Sequence, residues 1–295
     1  MQVWSTLVDP LQYAFFQKGL LVAALSGTLL GLIGVYITLR GMSYIGHGLA
    51  HAIFGGFAAS QLITSGLYAF GAGIWGIASA LAINAVSRKH SISADAAIGV
   101  VTTASFALGI ALLTKFGARG PSFDNALFGS ILGISTGQII GLSLVMIVTL
   151  IFVIVRYRAL LFATFDPEVA DVSGVNVARN DAVLMVILSL AILATLTVIG
   201  VTLVAAMLVI PAVVARMWTD SFGRMLWLSA AIGAACGLSG MYLSYYVGVP
   251  SGTMIVLTGA AVFCVTLVVS GARGRRRAIS WDHHTEDVVA LTPVR

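Results

Sequence analysis

Uncharged apolar runs succeed one another along nearly the whole chain, at about residues 20–39, 44–63, 67–86, 96–114, 136–155, 182–215, 226–246 and 253–269. Most are close to the roughly 20 residues with which an α-helix crosses a hydrocarbon core about 30 Å thick. They are continuous rather than alternating, which excludes the strands of about 10 residues that build a transmembrane β-barrel. The run 182–215 would be about 51 Å long as a single helix, so it must turn. Gly200 is the natural break; it leaves a normal span before it and a short segment, Val201 to Ala215, with Pro211 near its end. The pattern predicts an all-α polytopic membrane protein of eight to nine transmembrane helices. The count depends on whether 201–215 crosses or dips back.

Composition removes the soluble alternative. Of 295 residues, 59% are hydrophobic and 9% charged, against roughly a quarter charged in a soluble domain. Cys236 and Cys264 lie inside apolar runs, which suits neither a disulfide framework nor a zinc finger. A net charge of +5 could suggest nucleic acid, but the Lys and Arg residues stand at the ends of the runs. Alternating the spans puts thirteen of them on one side and only Lys18, Lys115 and Arg119 on the other. The positive-inside rule then predicts an external N-terminus and a cytoplasmic C-terminus. The first 17 residues lack the pattern of a signal peptide and are expected to form an interfacial lead-in.

Two connections are long enough to fold. In FDPEVADVSG, Asp166 can cap a helix, Pro167 suits its first position, Glu168 complements its dipole and Gly174 can end it. A short cytoplasmic helix within 164–176 is therefore expected. The external connection, Lys115 to Ser135, is expected to be a loop followed by an interfacial segment.

The only ionisable side chains well inside a span are His47 and His51. Counted from Arg40 they lie about 10 and 16 Å into the core, and as i and i+4 they share one helix face. Two such imidazoles can share a metal ion, although hydrogen-bonded packing is the bland alternative. The helix carries Gly46, Gly48, Gly55, Gly56 and several alanines, so its neighbours can approach closely. An intramembrane metalloprotease would need HExxH, whereas His47 is followed by Gly48. There is no Walker GxxxxGK[ST] motif and no obvious inverted repeat. Near the C-terminus, His283 and His284 stand beside Asp282, Glu286 and Asp287. They could bind a metal weakly, but such a tail is more often solvated and disordered.

Taken in order, LQYAFFQKGLLVAALSGTLLGLIGVYITLRGMSYIGHGLAHAIFGG, DAAIGVVTTASFALGI, LFGSILGIS, FDPEVADVSGV, VIGVTLVAAMLVIPAVVAR and VPSGTMIVL resemble the membrane permeases of bacterial ABC importers for manganese, zinc and iron. The resemblance implies a permease domain over 1–272 and a cytoplasmic tail over 273–295. It implies a cytoplasmic-membrane homodimer with cytoplasmic ABC ATPase subunits and an extracytoplasmic metal-binding protein. Asp166, Pro167, Glu168 and Gly174 would then belong to the element that couples to the ATPase. The chain itself would be no enzyme and would hold no permanent cofactor. Most of that family carries Asp and His four apart in the second span, where this chain has His47 and His51. Because imidazole suits Zn²⁺ better than Mn²⁺, the expected cargo is zinc first, manganese or iron second. A stand-alone secondary metal or proton-coupled transporter is the alternative of a different class.

Overall fold

A computed structural model of the protein describes residues 9–60, 68–88, 92–116, 134–201 and 204–290, with the side chains of the last helix described as far as residue 270. After a 3-10 turn at Asp9–Gln12 come α1 (Ala14–Leu39), α2 (Ile45–Ser60), α3 (Tyr68–Ser87), α4 (Ala94–Phe116) and α5 (Thr136–Val155). Two short helices follow, α6 (Tyr157–Phe165) and α7 (Pro167–Val172). The chain continues through α8 (Val177–Ile199), α9 (Val204–Trp218), α10 (Phe222–Val247) and α11 (Ser251–Ala290). The described residues contain no strand. A lipid core demands that every backbone N–H and C=O be paired, and a helix meets that demand within the segment itself.

Seven of these helices are long and apolar enough to cross a membrane: α1, α3, α4, α5, α8, α10 and the first half of α11. The helices α2 and α9 are shorter, at 16 and 15 residues. The break expected in the longest apolar run falls at Gly200, whose φ of 85° and ψ of 157° suit glycine and end α8. The expected interfacial segment after Lys115 falls mostly at 117–133, outside the described residues. Helix α11 continues past residue 272, the boundary expected between membrane domain and tail.

Helix α1 runs through the middle of the bundle, buried on most of its circumference and packed against α10, α9, α8 and α5. Its contact with α10 is antiparallel and made by backbone. A Cβ at Gly27 would run into the Gly233 carbonyl, one at Gly31 into Ser229 and one at Gly237 into Ala23. Ser229 Oγ, buried in this seam, donates a hydrogen bond of 2.6 Å to the Gly31 carbonyl. A second group, α2 with α3 and α4, packs beside this pair, with α8 and α9 bridging the two.

One end of the bundle collects charge. Arg40, which ends α1, pairs with Asp181 near the start of α8 and donates from Nε to Thr164 Oγ1 of α6 at 3.3 Å. Arg88, just past α3, lies 4.0 Å from the same Asp181. Arg156 donates to Asn180 Oδ1 from both Nε and one terminal nitrogen, at 3.2 and 3.0 Å. Arg40, Arg88 and Arg156 thus gather at one end of the bundle.

At the same end, α7 forms for local reasons. Asp166 Oδ1 accepts from the Val169 N–H at 3.0 Å, Pro167 opens the helix, Glu168 lies in its first turn, and Gly174 takes a φ of 81° just beyond it. Its inner face is pinned by Ala170 against Ala163 and Val177. Its outer face leaves Val169 and Val172 in the open, Val172 at 91% exposure.

Candidate functional site

Helix α2 gives three faces to neighbours and keeps one for its imidazoles. A Cβ at Gly46 would press on Leu208 of α9, one at Gly48 on Ile98 and Thr102 of α4, and one at Gly56 on Trp75 of α3. At 100° per residue, His47 and His51 fall on the strip between the α9 face and the α4 face. Small residues on three sides thus let the helix sink among its neighbours while the histidine strip stays only half-buried.

The two rings meet edge to face, with centroids 4.5 Å apart and an interplanar angle of 73°. Tyr44 lies against His47 with centroids 5.4 Å apart, and Phe106 of α4 backs His51 at 5.3 Å. His47 also faces an open cavity of about 770 Å³ lined by Gly41, Ser43, Tyr44, Asp95, Ala205, Ala206 and Val209. The depth of the pair follows from a shared neighbour. Leu208 blocks a Cβ both at Gly46 and at Gly34. Gly34 precedes Arg40 by six residues, so α2 begins about 9 Å in from the level of Arg40. His47 is one residue further along and His51 five.

The structure therefore brings the two histidines onto one face beside a cavity. Among the described residues no group of three or more His, Cys, Asp or Glu side chains is placed to hold a metal ion. One chain supplies two imidazole donors, which suits a site that must release its cation better than a closed four-ligand structural site. Asp166, Pro167, Glu168 and Gly174 stand together at the charged end, and none of them lines this cavity. The side chains of His283, His284 and their acidic neighbours lie outside the described residues.

The sequence pattern missed Asp95. It stands in the first turn of α4, at the end of an apolar run, where a charge is ordinarily an interfacial marker. Only the packing of α4 on α2 puts it on the cavity of His47. Its sharing of a cavity with a position 48 residues away leaves no local trace in the sequence. The Arg40–Asp181 pair, separated by 141 residues, was hidden for the same reason.

A bundle of apolar helices with an imidazole pair on an open cavity has the form of a polytopic membrane protein. The chain belongs to the ABC 3 transport family, which matches residues 12–270. It is thus a multi-pass permease subunit of the bacterial inner membrane and no enzyme; ATP hydrolysis belongs to a partner subunit. It is 36% identical to the manganese transport system membrane protein MntC of Halalkalibacterium halodurans, over 90% of each chain. It is 33% identical to a probable iron transport system membrane protein of Haemophilus influenzae, over 92% of this chain and all of that one. Among solved structures it is similar to PsaBC from Streptococcus pneumoniae in complex with Fab, with a TM-score of 0.78 and 30% identity over 90% of this chain and 95% of that one. A metal-chelate type ABC transporter in an inward-facing conformation shares the fold, with a TM-score of 0.69 at 17% identity.

Proposed function

We propose that this permease imports a divalent first-row metal ion, delivered at the outer face by an extracytoplasmic binding protein and driven by cytoplasmic ATPase subunits. The N-terminus is external, the charged end with α7 is cytoplasmic, and a second copy completes the path. The observation that carries this is the His47–His51 pair, half-buried on one helix face beside a cavity in a chain otherwise nearly free of ionisable groups inside its spans. Neutral imidazole offers a lone pair to a cation, and an intramembrane ionisable pair costs too much to be kept without use. The cation would rest on the histidines and leave through the cavity between α2, α4 and α9.

Helix α7 is the coupling element in this reading. Its exposed Val169 and Val172 offer an apolar knob to a groove of the ATPase, and its buried Ala170 fixes it to α6 and α8. From α6 the path to the site is short, through Thr164 to Arg40 and then the turn that starts α2. Gly174→Val, which forces a β-branched residue to a φ of 81°, should cut ATPase association or uncouple hydrolysis from uptake by roughly tenfold while the bundle stays folded. Unchanged assembly and uptake would remove α7 from the coupling path.

Two imidazoles favour zinc. The names of relatives favour manganese or iron, since those from H. halodurans and Synechocystis are manganese transport proteins and that from H. influenzae an iron one. Uptake of Zn²⁺ and Mn²⁺ by vesicles holding the permease with its ATPase and binding protein decides both questions. His51→Ala should reduce uptake at least about a hundredfold with unchanged folded yield, as expected when one of two metal donors is lost. His47→Asp should keep transport and move the preference toward Mn²⁺. Normal transport by His51→Ala would make the pair ordinary packing.

A further inference from the structure

Asp95 is a carboxylate on the same cavity as His47, and its place relative to the histidines is fixed by the packing of two helices. Gly48 of α2 meets Ile98 and Thr102 of α4, and Gly55 meets Ser105, Phe106 and Gly109. The two helices therefore run parallel with a constant register. Asp95, three residues before Ile98, lies about 5 Å closer to the charged end of the bundle than that contact. A cation moving from His51 past His47 toward the charged end comes next to the Asp95 carboxylate.

Asp95 is exposed in the first turn of α4, where a carboxylate complements the helix dipole, but capping and ion pairing fall to other groups. The N-terminus of α4 is capped by Ser93, whose Oγ accepts from the Ala96 N–H at 3.2 Å. Arg88 and Arg40 both turn to Asp181, and among the described residues Asp95 forms no ion pair. What it faces is the cavity, with the hydroxyl-bearing Ser43 and Tyr44 and the imidazole of His47.

We infer that Asp95 is the release-side carboxylate of the transport path: it receives the metal ion from the histidine pair and, as a hard oxygen donor, sets how well Mn²⁺ competes with Zn²⁺. This rests on His47 and His51 being the ion site. Two neutral imidazoles hold a divalent ion without reducing its charge, so the next station inward needs an anion to draw it on. A carboxylate suits Mn²⁺, while the imidazoles suit Zn²⁺. Ser43 and Tyr44 line the same stretch and can order the water that accompanies the ion. Asp95 is a specificity and release residue, so its loss should slow passage and change the metal ratio together.

The test is uptake of Zn²⁺ and of Mn²⁺ by vesicles holding the full complex with parent, Asp95→Asn, Asp95→Glu or His51→Ala permease, each checked for thermal stability. Asp95→Asn should lose about tenfold in Mn²⁺ uptake and less in Zn²⁺, raising the Zn²⁺ to Mn²⁺ ratio several-fold, as removal of an oxygen donor requires. Asp95→Glu should recover most of the rate and the parental ratio, and neither should change the melting temperature. An unchanged ratio in Asp95→Asn overturns the inference. So does an equal loss in Asn and Glu variants, or a loss accompanied by a lowered melting temperature, which would make the acid a helix-end support. His51→Ala separates the two levels: if it transports normally the histidine site itself fails, whereas if it is dead and Asp95→Asn is normal only the role of Asp95 fails.

Discussion

Helix pairs α1/α10 and α2/α4 are both drawn together by glycine, yet one is solid and the other opens onto a cavity. In α1/α10, glycine meets backbone at three successive positions, Gly27, Gly31 and Gly237, so the two axes stay close along the seam. In α2/α4 the neighbours of Gly55 are backbone atoms, but seven residues earlier those of Gly48 are the tips of Ile98 and Thr102, 2.8 Å from where a Cβ would stand. Side chains of α4 thus stand between the two helices at Gly48, and His47 beside it lines the cavity. Glycine alone thus produces contact. Along α2 the neighbours change from backbone to side chains as the cavity is approached.

The largest test of that contrast is Gly233→Val. Its side chain would have to enter the Gly27 backbone, and neither partner is a flexible side-chain end. Overpacking ordinarily costs about 1–3 kcal/mol, and a rigid seam in the centre of the bundle lies at or beyond the top of that range. Little monodisperse protein should survive detergent extraction, as gel filtration would show; a normal yield would mean that the seam can open.

Acid should act on the other pair alone. Imidazole must be neutral to bind a metal ion, so uptake should fall in acid as the proton displaces the cation. The described part of the α1/α10 seam carries no group that titrates there, so thermal stability should hold over the same fall in pH. Uptake that shows no fall in acid at any pH at which the complex stays folded would remove the imidazoles from the rate.

The smallest effect belongs to Ser229→Ala. It deletes one buried hydrogen bond to a helix carbonyl, worth about 1 kcal/mol, and should lower the melting temperature by a few degrees with transport unchanged. A loss of transport here would mean that the solid seam moves during the cycle.

The difference between the two pairs also separates what was legible in the sequence from what was not. Spans are written in uncharged runs, because lipid acts on each helix separately; the turn at Gly200 follows from length alone. Helix α7 is equally local, since Asp166, Pro167 and Gly174 each act within four residues. His47 and His51 were legible because i and i+4 positions share a face on any helix. The cavity was not, because it depends on which side of α2 faces α4 and on where α9 packs beside them. Asp95 accordingly looked like an ordinary interfacial charge until α4 was placed against α2.

The central position of α1 has a consequence for how the protein is made. Helix α1 is the first described span to leave the ribosome, and it ends up surrounded by segments that are synthesised much later, α10 last among its glycine partners. From Gly19 to Leu39 it carries no charge, and with a mean hydropathy of 2.2 in its most apolar window it can wait in lipid alone. Its glycines are then still bare grooves against acyl chains. Assembly must proceed from the inside outward, with lipid displaced from Gly27 and Gly31 only when the chain has been completed past residue 237. Until then any early partner with small residues could occupy that groove, which makes the interval of translation between α1 and α10 the period in which this membrane protein is most open to mispairing.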